Sequence, residues 1–246
     1  MKAIIMAGGK SKRLVTEENP IPKVLRTANG RPLLSYALDT VNYLNSEDIY
    51  IVVGYMASAV MDEFPGRQFA VQDSAGYGTG YAVMCAMREK ALSDYSGTVA
   101  VLSGDVPLIK KETIEKMLEL HRSTGSSCTI LSCVTKKQLP FGRIIRKNGE
   151  VAEIKEHKDC TEEERKIEEL NVATYLFDAE ELRKALSYLT TDNAQNEYYL
   201  TDVPKIMLLQ KKIVKAYVSA DEEELLGVNT QEDLEEVEEI LRGRNS

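Results

Sequence analysis

Ala3-Ile4-Ile5-Met6-Ala7-Gly8-Gly9-Lys10-Ser11-Lys12-Arg13-Leu14, followed by Pro22-Lys23-Val24-Leu25, decides how the rest of the chain is read. An apolar run enters two glycines, then meets three cations, with a fourth at Lys23. A strand that ends in a glycine turn exposes backbone N–H groups. Lysine and arginine beside them make a site for anions, phosphate above all. Residues 1–31 hold Lys2, Lys10, Lys12, Arg13, Lys23, Arg26 and Arg31 against Glu17 and Glu18, a local +5 in a chain of net charge −8. An ordinary solvated strand end could share this pattern, so the remaining sequence has to choose.

The 246 residues suit a single domain spanning 1–246. A chain that is 43% hydrophobic and 28% charged reads as soluble and globular. Its negative balance argues against a nucleic-acid-coating surface. No run approaches a membrane span and the N-terminus follows no signal-peptide plan, so no membrane partner is expected. Cys85, Cys128, Cys133 and Cys160 have no metal or redox spacing. They read as reduced core residues of a cytoplasmic protein.

Short apolar runs alternate with helical patterns, which predicts an α/β fold with a Rossmann-like, mixed but mostly parallel sheet. Strands are expected at 49–53, 69–71, 99–103, 128–134, 172–177 and 213–218. Helices are expected from Leu33 through Leu44, around Val60 to Phe64, at 81–92, 112–124, 179–189 and 231–241. Asn148-Gly149 between two strand-like runs signals a hairpin, the small antiparallel elaboration of the second half. Gly76-Tyr77-Gly78-Thr79-Gly80 opens a helix and is a second place for ligand contact. Asp105 follows the strand 99–103, at the carboxyl edge where open α/β sheets bind ligands.

Several chemistries drop out. A P-loop needs glycine five positions before Gly9, where Ile4 stands. The dinucleotide fingerprint G-x-G-x-x-G is absent after the first strand. His121 and His157 neighbour no cysteine at ligand spacing, and both read as surface residues. No Gly-x-Ser-x-Gly elbow is present. A phosphate cradle with cations and a strand-end carboxylate remains, which is what phosphoryl transfer requires.

On these residues the chain resembles the sugar-1-phosphate nucleotidyltransferases. More narrowly, it resembles the N-terminal uridyltransferase domain of the bacterial bifunctional N-acetylglucosamine-1-phosphate uridyltransferases. The markers are Ala7-Gly8-Gly9-Lys10 with Arg13, Pro22-Lys23-Val24-Leu25, Gly78-Thr79-Gly80 and Gly104-Asp105-Val106-Pro107-Leu108. Later come Phe141-Gly142-Arg143-Ile144, Glu156-His157-Lys158-Asp159, Asn193-Ala194-Gln195, Glu197 through Asp202, and Gly227-Val228-Asn229. The resemblance implies the nucleotide-diphospho-sugar transferase type of sheet, with a sugar-binding half at about 135–229. It implies that Ala7, Gly8, Gly9, Lys10, Gln72, Gly78 and Thr79 bind nucleotide, with Gln72 or Asp73 reading the base. Arg13, Lys23 and Asp105 would be catalytic, and Asp105 with Asn229 would ligate Mg²⁺. Gly142, Glu156, Asn171, Tyr199 and Thr201 would hold the amino sugar, Asn171 matching the acetamido group.

The implied reaction is attack by the phosphate of N-acetylglucosamine 1-phosphate on the α-phosphorus of UTP. It gives UDP-N-acetylglucosamine and pyrophosphate. Glucose 1-phosphate as acceptor, with uridylyl or thymidylyl transfer, is the enzymatic rival. A nucleotide-sugar-binding paralogue without catalysis is the other. Ser11 and Lys12 stand where the family usually has glycine and threonine, and Ser103 and Phe141 replace usual tyrosines. The stretch from Gln72 to Gly78 is one residue longer than the closest pattern.

Overall fold

A computed structural model describes residues 1–9 and 20–244, and its sheet is built around the opening strand, β1 (Lys2–Met6). Alternate β1 side chains feed two cores. Ile4 packs with Val83 and Ala86 on one face of the sheet. Ala3 and Ile5 pack with Leu34, Leu38 and Ile114 on the other. Ile4 and Ile5 are fully buried, and each contributes about 2 kcal/mol by leaving water.

The chain continues through β2 (Thr27–Ala28), β3 (Arg31–Pro32), α1 (Leu33–Thr40), β4 (Ile49–Val53), α2 (Ala57–Glu63) and β5 (Gln68–Val71). Next come α3 (Thr79–Met87), α4 (Lys90–Ser93), β6 (Thr98–Ser103), α5 (Lys111–Ser123) and β7 (Cys128–Val134). The second half holds β8 (Arg143–Lys147), β9 (Glu150–Lys155), α6 (Glu162–Arg165), β10 (Glu169–Asp178) and α7 (Ala179–Leu186). It closes with α8 (Val203–Leu209), β11 (Val214–Ser219) and α9 (Gln231–Arg244).

The sheet runs β11-β7-β10-β6-β1-β4-β5, with the β8–β9 hairpin attached beside β10. β1 pairs parallel with β4 on one side and β6 on the other. The chain therefore leaves β1 in one direction and returns on its opposite flank, which opens a crevice at the carboxyl ends of these strands. β7 and β11 are parallel to each other. β10 is antiparallel to both β6 and β7, and that reversal brings its first residues, near Asn171, to the crevice edge.

The expected mixed sheet is thus present, and the Asn148-Gly149 hairpin forms with both residues at positive φ, 53° and 83°. Three details differ from the sequence expectation. The helix placed at 81–92 starts two residues earlier and divides, because Glu89 takes an extended conformation between α3 and α4. The stripe from Leu33 to Leu44 is helical only to Thr40, and Leu44 packs on the core from beyond the helix end. The histidine at 121 is a core residue, 5% exposed, with its Nδ1 2.9 Å from the Thr129 hydroxyl. It lies on the face α5 turns to the sheet, so the polar neighbours in sequence belong to the opposite face.

α9 is capped as expected. Thr230 Oγ1 accepts from Asp233 N at 3.2 Å, and Asp233 Oδ2 accepts from Thr230 N at 2.9 Å. Its Leu234, Val237 and Leu241 bury a third cluster against Ala28, Leu33, Leu108 and Val228. This packing fixes the segment just before α9, which carries Asn229.

Candidate active site

Three strand ends meet in the crevice. Ala7 N donates to Val52 O at 2.8 Å, extending the β1–β4 pairing by one residue before the glycines. Gly8 is then pressed on β4: a Cβ there would lie 3.0 Å from Gln72 Oε1 and 3.2 Å from Gly54 N. Its carbonyl accepts from Tyr55 N at 3.1 Å. Gly9 is exposed, and a Cβ there would meet no atom within 4 Å. Close backbone approach therefore favours glycine at position 8, and packing among the described residues does not call for it at 9. Lys10, Ser11, Lys12 and Arg13 lie outside the described residues.

Lys23 sits in a single 3-10 turn over Lys23–Leu25, anchored by buried Val24. Its ammonium forms an ion pair with the Asp105 carboxylate and donates to Asn229 Oδ1 at 3.1 Å. Asp105 follows β6, and the Ser103 hydroxyl donates to its Oδ1 at 2.5 Å. Burial disfavours charge on Asp105. The adjacent Lys23 charge and the Lys23 and Ser103 hydrogen bonds outweigh it, holding the carboxyl below the ordinary carboxylate value. The Ser103 hydroxyl thus steadies the ionised carboxylate.

Asn229 does not extend a strand; it ends the connection from β11 to α9. That connection is pinned by Glu224, which is fully buried. Glu224 accepts from the Ser219 hydroxyl at 2.5 Å and from Lys110 N at 2.9 Å. Val228 N then donates to Asp105 O at 2.9 Å, setting Asn229 beside the carboxylate. The sequence showed Glu224 only as one acid in an acidic run; its alternation with buried Leu225 is the sole local signal.

One carboxylate and one amide oxygen converge on a single positive charge, the Lys23 ammonium. A carboxylate and an amide oxygen are hard donors, a pair that fits a divalent cation such as Mg²⁺. No group of three His, Cys, Asp or Glu that could hold a metal occurs among the described residues. Asp105 and Asn229 are the residues that would hold such an ion.

The second glycine cluster is tied to the second half of the chain. Gly78 has φ +103°, and a Cβ on it would collide with the Tyr198 carbonyl. Gly80 N donates to Tyr198 O at 2.8 Å, Tyr198 N donates to Tyr77 O at 2.9 Å, and Leu200 N donates to Thr79 Oγ1 at 3.1 Å. The structure places Gln72 against Gly8 while Asp73 accepts from the Tyr81 hydroxyl and Ala75 N. Gln72 is therefore the one of the pair that faces the cradle.

In the second half of the chain, Glu156 accepts from the Thr201 hydroxyl at 2.9 Å. Burial, with Asp159, Asp202 and Glu197 nearby, pushes its carboxyl above the ordinary value. Tyr199 is 5% exposed, and its hydroxyl and the buried Asp159 Oδ2 lack a well-formed hydrogen bond, although Gln195 and Asp159 both lie close to the phenol. Burial pushes the Tyr199 phenol up to about 12. Buried polar atoms left unpaired beside a carboxylate are what a polyhydroxylated ligand would satisfy. The 156–159 loop is held by Ala194 N on Asp159 Oδ1 at 2.9 Å and by Lys158 Nζ on Gln195 Oε1 at 2.6 Å.

Gly142 accepts from Asn171 N at 2.9 Å, and a Cβ there would lie 3.1 Å from Ile154 Cγ2. Asn171 differs from expectation in one respect. Its Nδ2 donates to the Tyr175 hydroxyl at 2.7 Å and its Oδ1 accepts from Ala173 N at 3.3 Å. Only the second N–H and a spare lone pair remain for a ligand.

A doubly flanked parallel strand, a glycine turn at its end and an aspartate ion-paired to a lysine beside it make up the candidate site. The chain belongs to the MobA-like NTP transferase domain family, whose model matches residues 3–192. It is 41% identical over 243 residues to the bifunctional protein GlmU of Clostridium beijerinckii and 39% identical over 243 residues to that of Clostridium perfringens. Each match covers 98% of this chain and 52% of the relative, so the chain spans about half the length of these curated relatives. A solved UDP-glucose pyrophosphorylase complexed with UDP-glucose shares the fold, with TM-score 0.78, 18% identity, and 99% and 98% of the two chains covered.

Proposed function

We propose that the chain transfers UMP from UTP to N-acetylglucosamine 1-phosphate in a Mg²⁺-dependent reaction, as a cytoplasmic enzyme. The observation that carries the reading is the convergence of Asp105 and Asn229 on the Lys23 cation, at the sheet edge that also holds the Gly8 cradle. The markers at 156–159 and 193–202 support the choice of nucleotide and sugar, beside the overall similarity to the GlmU proteins. Four free, buried cysteines support a reducing compartment.

Lys23 supplies positive charge for the phosphates, and Gly8 lets backbone approach them. Gln72 faces the base, and Glu156 and Thr201 orient the sugar ring by accepting and donating to its hydroxyls. A phosphate oxygen of the acceptor attacks the α-phosphorus in line, the α–β bridging bond breaks, and pyrophosphate leaves with its electron pair. No protein nucleophile is required, so catalysis rests on positioning and charge. Bound Mg²⁺ would add charge neutralisation across the reacting phosphates.

Glucose 1-phosphate is the second reading, favoured by the engagement of Asn171 with Tyr175 and Ala173, which leaves less of the amide for an acetamido group. Pyrophosphate release across a matrix of nucleoside triphosphates and sugar 1-phosphates, with and without EDTA, separates the two. The expected optimum is UTP with N-acetylglucosamine 1-phosphate and no turnover in EDTA. No turnover with UTP and any hexosamine 1-phosphate would end the first reading.

A further inference from the structure

Tyr81 lies outside the residues assigned to either substrate, yet it touches both halves of the site. Its hydroxyl donates to Asp73 Oδ1 at 2.6 Å. Its ring covers Gly76 so closely that a Cβ there would lie 2.5 Å from Tyr81 Cδ2. The same ring stacks on Tyr198 with centroids 5.9 Å apart, and the Arg88 guanidinium lies 5.5 Å from its centre. We propose that Tyr81 is a positioning residue for base selection, setting the 72–76 loop so that the Gln72 amide presents a fixed donor–acceptor order to the base. This rests on the nucleotidyl-transfer reading above.

Gln72 is held at both ends of a short loop. Its backbone N donates to Val53 O at 2.7 Å, continuing β5. Its side chain lies between Gly8, against Oε1, and the Gly76 carbonyl, which Nε2 reaches at 3.5 Å. The position of that carbonyl depends on residues 73–76, and Tyr81 grips both ends of them. Asp73 is fixed by the Tyr81 hydroxyl and closes an Asx turn on Ala75 N at 2.9 Å. Gly76 is fixed by the Tyr81 ring. Hydrogen bonding from Tyr81, then from Ala75 N, keeps Asp73 more acidic than usual, so it stays an acceptor.

The order of donor and acceptor matters because uracil and cytosine differ only there. Uracil presents N3–H as donor beside carbonyl acceptors, whereas cytosine presents N3 as acceptor beside an amino donor. A primary amide can pair with either base, but only by shifting along the base edge or rotating. An amide free to do so discriminates poorly; one held by the loop does not. Residues 73–76, from the Gln72 backbone anchor to Gly76, are the part that Tyr81 holds.

The test is kcat/KM for UTP and CTP, with saturating sugar phosphate, in wild type, Tyr81→Phe, Asp73→Ala, Asp73→Asn and the Tyr81→Phe/Asp73→Ala double variant. Phenylalanine keeps the Tyr198 stack and the cover over Gly76, so thermal unfolding should match wild type. Tyr81→Phe should raise the KM for UTP severalfold with kcat within twofold and narrow the UTP:CTP ratio by about tenfold. Asp73→Ala should do the same, the double variant no more than either, and Asp73→Asn should recover most of the ratio. An unchanged ratio in Tyr81→Phe, or additive effects in the double variant, overturns the proposal. Wild type without turnover on any nucleoside triphosphate would defeat the nucleotidyl-transfer reading and this inference with it. An active wild type with an indifferent Tyr81 variant defeats this inference alone.

Discussion

Gly80 N donates to the carbonyl oxygen of Tyr198 at 2.8 Å, and this bond ties the 76–80 loop to the loop that carries Tyr199 and Thr201. Gly78 lies beside the same carbonyl, at φ +103°. The two proposed substrate subsites therefore share one backbone junction.

Replacing Gly78 by alanine should disturb both subsites together. The new Cβ meets the Tyr198 carbonyl, and the left-handed conformation is strained for any side chain. Loss of about 2 kcal/mol is expected in urea unfolding. The loss in kcat/KM should be on the order of 10²-fold for both substrates. A variant impaired toward the nucleotide only would show that the junction is not shared.

Asp105→Asn removes the counter-charge of Lys23. Turnover should fall by roughly 10³-fold, the scale expected for a charge-stabilising group. Its folded pKa is depressed below the usual 3.8, so the stability it lends is complete above that value and fades as pH falls through the lower folded one. Urea unfolding at pH 7, 5 and 3 should show the variant less stable than wild type at the first two, with the gap closing at the third. Lys23→Ala should in turn open the Asp105–Asn229 oxygens, giving tighter Mn²⁺ binding to the nucleotide-free chain in a paramagnetic titration. Unchanged Mn²⁺ affinity would show that the ammonium does not occupy the cation's place.

Glu156 shifts the other way, and its consequence has the opposite sign. A carboxyl pushed up by burial is favoured by the fold in its protonated form. Ionisation therefore costs stability, beginning as pH rises through the usual 4.5 and complete above the raised folded value. Glu156→Gln should melt higher than wild type at pH 8 and alike at pH 4. It should also raise the KM for the sugar phosphate by roughly tenfold or more, the worth of a charged hydrogen bond. Equal melting curves at pH 8 would count against a strained carboxylate.

Ala173 carries φ +54° in the irregularity of β10 between Asn171 and Tyr175. A left-handed alanine costs about 1–2 kcal/mol, and glycine returns about 0.5–1 kcal/mol of that as unfolded-chain entropy. Ala173→Gly should gain about 0.5 kcal/mol net with kcat unchanged. A loss of stability would mean that the methyl group packs usefully.

The strands and the glycine cradle were legible because each is local. Ile4 and Ile5 alternate between cores, Asn148-Gly149 turns a hairpin, and Thr230 with Asp233 caps α9. α8 was not legible, since Val203–Leu209 is too short to show a helical stripe and gains its structure by burying Val203 and Met207. His121 was misplaced for a related reason: periodicity shows that a helix has a buried face but not how wide that face is.

By itself, the sequence determined the α/β class, the order of the elements and the residue types at the strand ends. These follow from side-chain periodicity, turn chemistry and local charge, all read within a few neighbouring residues. Only the tertiary structure decided which side chains meet. Lys23 reaches Asn229 across 206 residues, Glu224 turns from an acidic run into the core, and Asp73 yields the cradle to Gln72 because Tyr81 takes its carboxylate. Those choices depend on sheet order and on β10 running against its neighbours, because contacts between distant residues are set by how elements pack and not by their own periodicity.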